Sequence, residues 1–304
     1  MNSSLVAVPS SRRDSLLIGF SLFALYIIWG STYFGIRVGV QSFPPFFMNA
    51  IRFTVAGAIL YAVLRARGTA HPKKLEWWSA FRIGLFLIIG GNTGTTLAES
   101  LGVASGLAAT IVATMPLWAA LWSMLWGQRP RMLEVAGMVV GLIGVLILSL
   151  DNNLRGNPTG AIVMFIAPMF WSFGSIWSKH VTLPQGLMAS ATEMLTAGIL
   201  MFPISFLIGE HMTKTPSLES LLALVYLITF GSLIAFSAYL YLLTKVRPTL
   251  ATSYAYVNPI VAVILGVFWG QEKIGINAFI AMPIILSAVG LVAYAQNQKT
   301  AVGK

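Results

Sequence analysis

The stretch VASGLAATIVATMPLWAALWSMLWGQ (residues 103–128) returns without a gap as VRPTLATSYAYVNPIVAVILGVFWGQ (residues 246–271). The copies share Leu107/Leu250, Ala108/Ala251, an intrahelical proline at Pro116/Pro259, and the closing triplets Trp126-Gly127-Gln128 and Trp269-Gly270-Gln271. Nearer the start of each half, Trp29 and Arg37 fall opposite Trp171 and Lys179, and Ala56-Gly57 recurs as Ala197-Gly198. The chain therefore reads as a tandem duplication, 1–152 and 153–304. Ten apolar stretches run at about 16–37, 46–64, 81–99, 103–126, 132–150, 159–179, 187–208, 218–243, 249–269 and 274–295. Five fall in each half. An odd number of crossings makes the second copy enter the membrane in the opposite direction to the first. Inverted repeats are the architecture of alternating-access transport, with a solute site near the midplane between the repeats. The expected fold is all-α and integral to the membrane: ten transmembrane helices as two inverted five-helix repeats.

Composition leaves little room for another class. Hydrophobic residues make up 57% of the chain and charged ones 9%, against about 25% charged in soluble domains. Each apolar stretch is long enough to cross roughly 30 Å of hydrocarbon. The longest connection, about Arg65 to Ala80, is too short to hold a soluble domain. Any chemistry must then lie within the bilayer or at its surface.

The net charge of +10 does not point to nucleic acid, because the cations are unevenly shared between the two ends of the helices. With the N-terminus inside, Arg12, Arg13, Arg65, Arg67, Lys73, Lys74, Arg82, Arg129, Arg131, Lys179, Lys245, Arg247, Lys299 and Lys304 fall on the inner side. Only Arg37, Arg155, Lys214 and Lys273 fall on the outer side, and Arg52 lies within a span. Fourteen against four is a positive-inside bias, which predicts that both termini are cytoplasmic. Arg12-Arg13 before an apolar run resembles a signal peptide. No small-residue cleavage site follows, so this run is expected to stay as the first helix.

Enzymatic chemistry finds no support. Cysteine is absent, and His71, His180 and His211 sit in connections with no metal-pair spacing. There is no catalytic triad set, phosphate-cradling glycine loop or H-E-x-x-H motif. No catalytic residue, metal or cofactor is assigned. The expected partners are a small-molecule substrate and the lipid bilayer.

Tyr26-Ile27-Ile28-Trp29-Gly30-Ser31-Thr32-Tyr33-Phe34, the Pro44-Pro45 turn and Arg52-Phe53 resemble the opening of an EamA domain. Leu250 to Pro259, with Gly270-Gln271-Glu272, resembles the close of a second one. Two such units define the ten-helix exporters of the drug/metabolite transporter superfamily. The resemblance covers nearly the whole chain and implies inner-membrane export of small metabolites, often amino acids, aromatic ones included. A multidrug or nucleoside/purine exporter of the same fold is the alternative. The copies also differ: Glu193 stands where the first has Arg52, and Arg129 where the second has Glu272. Strict mirror symmetry is therefore not expected.

Four groups of residues are candidates for the solute pathway. In helix three, Asn92, Thr96 and Glu99 follow i, i+4, i+7 and share a face among three glycines, a pattern that suits a cavity wall or close helix packing. In helix nine, Tyr254 and Asn258 share a face, and Pro259 frees the carbonyl of Ala255; Met115-Pro116 is the counterpart in helix four. Trp29 and Trp171, paired by the duplication and mid-helix, are candidate aromatic walls. Arg52 and Glu193 are charges at membrane depth, suited to coupling or gating together with Pro116 and Pro259. Trp77, Trp78, Trp126 and Trp269 read as interface anchors.

Gly137, Gly141 and Gly144 form a small-xxx-small row that fits either a dimer interface or packing within the chain. A monomer or weak homodimer is expected. A channel would need polar lining across the whole membrane, whereas the polar residues here cluster, as for one occluded site.

Overall fold

The computed structural model describes residues 12–128, 130, 132–245 and 254–302, and the regular structure among them is all helical. Arg129, Arg131, Arg247, Lys304 and the stretch Leu250 to Ser253 lie outside the described residues. In chain order the helices are α1 (Arg12–Gly39), α2 (Pro45–Ala66), α3 (74–100), α4 (Ser105–Trp126) and α5 (Met132–Ser149) in the first half. The second half has α6 (Pro158–His180), α7 (Leu187–Leu207), α8 (218–245), α9 (Tyr254–Phe268) and α10 (Ile276–Val302). Among the described residues, α1, α2, α4, α5, α6, α7 and α8 each hold a stretch long and apolar enough to cross a membrane. The apolar parts of α9 and α10 are shorter, and α3 falls outside both groups because Asn92, its threonines and Glu99 dilute its apolar run.

The repeats interleave. α1 packs on α8 and α9, α6 on α3 and α4, α2 on α7, and α5 on α10. Exchanging each helix with its counterpart five places on maps this set of pairs onto itself, as two repeats related by a pseudo-two-fold axis require. The duplicated glycines sit at the centre of the α2–α7 crossing. A Cβ on Gly57 would stand 2.7 Å from the Leu195 nitrogen, and one on Gly198 would stand 2.5 Å from the Thr54 nitrogen. Only a missing side chain lets these backbones approach so closely. The glycine row of α5 is likewise used inside the chain: a Cβ on Gly137 would lie 2.9 Å from the Ala288 carbonyl of α10.

Two irregularities shape the middle of the fold. α3 widens into a π-helical segment at Leu85–Thr93, and α8 does so at Leu227–Ile234. Leu227 stands to Leu85 at the same offset as Lys179 to Arg37, so the duplication repeats this feature too. π segments are rare and often mark functional sites. α4 breaks at Ala113-Thr114 and resumes at Met115 with Pro116 in its first turn, where the missing N–H costs nothing. α9 runs on through Pro259 without a break.

Candidate functional site

Between the repeats lies a central cavity. α1 contributes Trp29, Thr32, Tyr33 and Ile36; α2 contributes Arg52; and the π segment of α3 contributes Gly91 and Asn92, followed by Thr95. α4 adds Ala109, Val112, Ala113 and Met115 around its break. From the second repeat come Ala167, Pro168 and Trp171 of α6, Phe236 of α8, and Tyr254, Ala255 and Asn258 of α9. Of the residues named from sequence, Trp29, Arg52, Asn92, Met115, Trp171, Tyr254 and Asn258 meet here.

Arg52 is buried, and among the described lining residues it is the only charged side chain. Its Nε donates to Ser232 Oγ at 3.0 Å, and its guanidinium lies over the Phe53 ring, 4.7 Å from the centroid. Ser232 belongs to the π segment of α8. One residue earlier, the Gly231 carbonyl accepts the Trp29 indole N–H at 3.1 Å. One irregular turn thus positions two cavity residues of the first repeat. The π segment of α3 acts similarly toward the second repeat, since a Cβ on Gly91 would meet the Trp171 side chain at 2.9 Å.

The other candidates lie elsewhere. Thr96 is buried behind the wall, accepting from Asn49 Nδ2 at 2.8 Å and donating to the Asn92 carbonyl at 3.0 Å. On α3, Thr95 is the threonine that lines the cavity. Glu99 is buried beyond it, with neither carboxylate oxygen hydrogen-bonded among the described residues, in electrostatic reach of Glu272 and Arg37. Glu193 is buried in α7 where that helix meets α3, and its carbonyl would lie 3.0 Å from a Cβ on Gly84. Neither Pro116 nor Pro259 lines the cavity, although their neighbours Met115 and Asn258 do.

Comparison with known proteins agrees with this architecture. The EamA-like transporter family matches residues 17–150 and again 158–294. The chain belongs to that family. It is 48% identical over 280 residues to the uncharacterized inner membrane transporter YedA of Escherichia coli strain K12, covering 92% of each chain. It is 24% identical to the protein PecM of Dickeya dadantii, over 89% of this chain and 91% of that one. A solved crystal structure has the same fold, with a TM-score of 0.62 at 21% identity, covering 90% of this chain and 96% of the other. The protein is thus a multi-pass inner-membrane member of the EamA-like transporters, and its family points to transport rather than catalysis.

In this transporter the two ends of the cavity differ. At one end, Arg37 Nη1 meets Glu272 Oε1 at 2.8 Å, and Arg37 Nη2 donates to the Gly270 carbonyl at 3.2 Å. The same carboxylate accepts the backbone N–H groups of Ser105 (2.8 Å) and Gly106 (3.3 Å) at the start of α4, where a helix terminus favours an anion. Glu210 does the same for α2, accepting from the N–H groups of Phe46 (3.1 Å) and Phe47 (3.0 Å). At the other end, the Trp29 ring packs against Tyr254 at 4.7 Å, Tyr239 at 5.4 Å and Phe236 at 5.6 Å between centroids.

Some of this was missed from sequence. Thr32, Tyr33 and Ile36 sit three, four and seven residues after Trp29, so the helical stripe was available to be read. Phe236 lies in a uniformly apolar helix and left no signal.

Proposed function

We propose that this protein exports small metabolites, chiefly neutral and aromatic amino acids, by alternating access through the central cavity. The observation that carries the reading is the cavity itself, walled by rings from both repeats (Trp29, Tyr33, Trp171, Phe236 and Tyr254) and studded with Arg52, Asn92 and Asn258. Apolar walls with a few polar groups are what a small amphipathic solute needs. Trp29, Asn92, Met115, Trp171, Tyr254 and Asn258 would contact it, with Arg52 at one side. Thr96 would hold the Asn92 turn from behind, and Glu99 and Glu193 would act from outside the cavity. Met115-Pro116 and Pro259 would let α4 and α9 bend. Ten crossings in two repeats, 1–152 and 153–304, with both termini cytoplasmic, complete the proposal.

The test is efflux from liposomes loaded with labelled phenylalanine, tryptophan, threonine or methionine, without an ion gradient and then with a pH gradient. Saturable efflux blocked by unlabelled amino acid is expected. Absence of efflux under both conditions would sink the amino-acid reading and favour nucleosides or drugs.

A further inference from the structure

Two buried polar atoms on the cavity wall have no hydrogen-bond partner among the described residues: Nη1 of Arg52 and Oδ1 of Asn258. Arg52 is 3% exposed and Asn258 5%. The two atoms have opposite character, because a guanidinium only donates and an amide oxygen only accepts. Among the described residues no carboxylate forms an ion pair with Arg52; the ion pairs found are Arg37–Glu272 and Lys245–Asp14. A buried cation without a counter-charge is unfavourable unless something supplies one. Arg52 itself is part of the cavity lining.

We infer that Arg52 anchors a carboxylate on the transported molecule, so that the cavity selects organic acids and zwitterions and rejects amines that lack the acid. The inference deepens the transport reading above and rests on it. The local geometry fits an anchor. Ser232 holds Nε, the Phe53 ring supports one face of the guanidinium, and Nη2 is turned toward Gly231, where a Cβ would stand 3.3 Å away. That leaves Nη1 as the free donor. An ammonium group meets no acid on the described wall. It is met instead by Asn258 Oδ1 and by the aromatic faces, a weaker attraction than an ion pair. The acid is therefore the dominant handle and the amine a secondary one. The same charge balance disfavours a cationic drug, which would place a second positive charge beside Arg52.

The test uses four compounds sharing one ring: phenylalanine, 3-phenylpropanoate (acid without amine), phenylalaninamide (amine with the acid masked) and phenethylamine (amine alone). Binding to the purified full-length protein is read by thermal stabilisation, separately from liposome efflux. Phenylalanine and 3-phenylpropanoate should bind, and loss of the acid should weaken binding about tenfold to a hundredfold. Arg52→Gln should erase the preference for 3-phenylpropanoate over phenethylamine, while Arg52→Lys should keep part of it. Should Arg52→Gln fail to fold, Ser232→Ala, which frees the guanidinium without removing it, should shrink the preference by a smaller factor. Phenethylamine binding as tightly as phenylalanine, an undiminished preference in Arg52→Gln, or binding of none of the four compounds would overturn the inference. If 3-phenylpropanoate binds and no amino acid leaves the liposomes, the amino-acid proposal falls and the carboxylate anchor stands.

Discussion

At the Glu272 end of the cavity, an ion pair and two backbone caps tie α1, α4 and the α9–α10 connection together. At the Tyr254 end, α1, α8 and α9 meet mainly through the rings of Trp29, Phe236, Tyr239 and Tyr254, beside the Trp29–Gly231 hydrogen bond and a looser Lys245–Asp14 pair at 3.9 Å. The duplication therefore fixed the helix crossings and the π segments but not the chemistry that ties each end. In the sequence, Arg129 and Lys179 align with Glu272 and Arg37, so the aligned pair carries two like charges instead of opposite ones. The difference has a mechanical consequence. Directional bonds to a carboxylate break over a short displacement, whereas ring contacts keep part of their attraction as the rings slide.

The largest effect should come from Glu272→Ala. It leaves Arg37 and the N–H groups of Ser105 and Gly106 without their acceptor, and should cost about 3 kcal/mol, the low end for a broken buried pair because the Arg37 side chain is 33% exposed. A wild-type melting temperature in detergent would break the comparison at its strongest point. Gly91→Ala is next, at about 1–3 kcal/mol with reduced efflux, because the added methyl meets Trp171 at 2.9 Å. Gly231→Ala should be milder, since its nearest neighbour is a Thr32 methyl at 3.0 Å; an equal or larger loss would reverse the ranking of the two π segments. Trp29→Phe keeps a ring and loses the bond to Gly231, worth about 1 kcal/mol, which should appear as a raised KM for efflux. Tyr239→Phe should be smallest, within about 0.5 kcal/mol, because the rings and not the hydroxyl tie this end. A greater loss would give the Tyr239 hydroxyl a polar tie of its own.

The all-helical, twofold-repeated fold was legible because apolar length and internal repetition are properties of the chain itself. The match of Gly57 with Gly198 was legible as a sign of duplication, whereas the crossing these glycines make came only from the structure. Of the polar residues read on one face of α3, the structure puts Asn92 on the cavity wall and Thr96 and Glu99 off it. Asn92, Thr96 and Glu99 line up on an ideal α-helix, whereas the π turn ending at Thr93 is followed by Thr95 on the cavity wall and leaves Thr96 to Asn49. A register change of this sort depends on what packs against the helix, and no local residue announces it. Glu272 was noted in the closing motif and as a departure from symmetry, but not as a tie. Its partners Arg37, Ser105 and Gly106 are 235, 167 and 166 residues away, so folding alone reveals the tie.

The interleaving of the repeats also bears on how the protein is made. α2 finds its main contact in α7, which at about 5–20 residues per second is synthesised roughly seven to thirty seconds later. Until then the backbone groove around Gly57 and the guanidinium of Arg52 must wait without Leu195 or Ser232 to receive them. The first half is consequently an assembly intermediate with an unfinished surface and cannot stand as a small transporter. Made alone it should be degraded, and the two halves made in the same cell should protect each other.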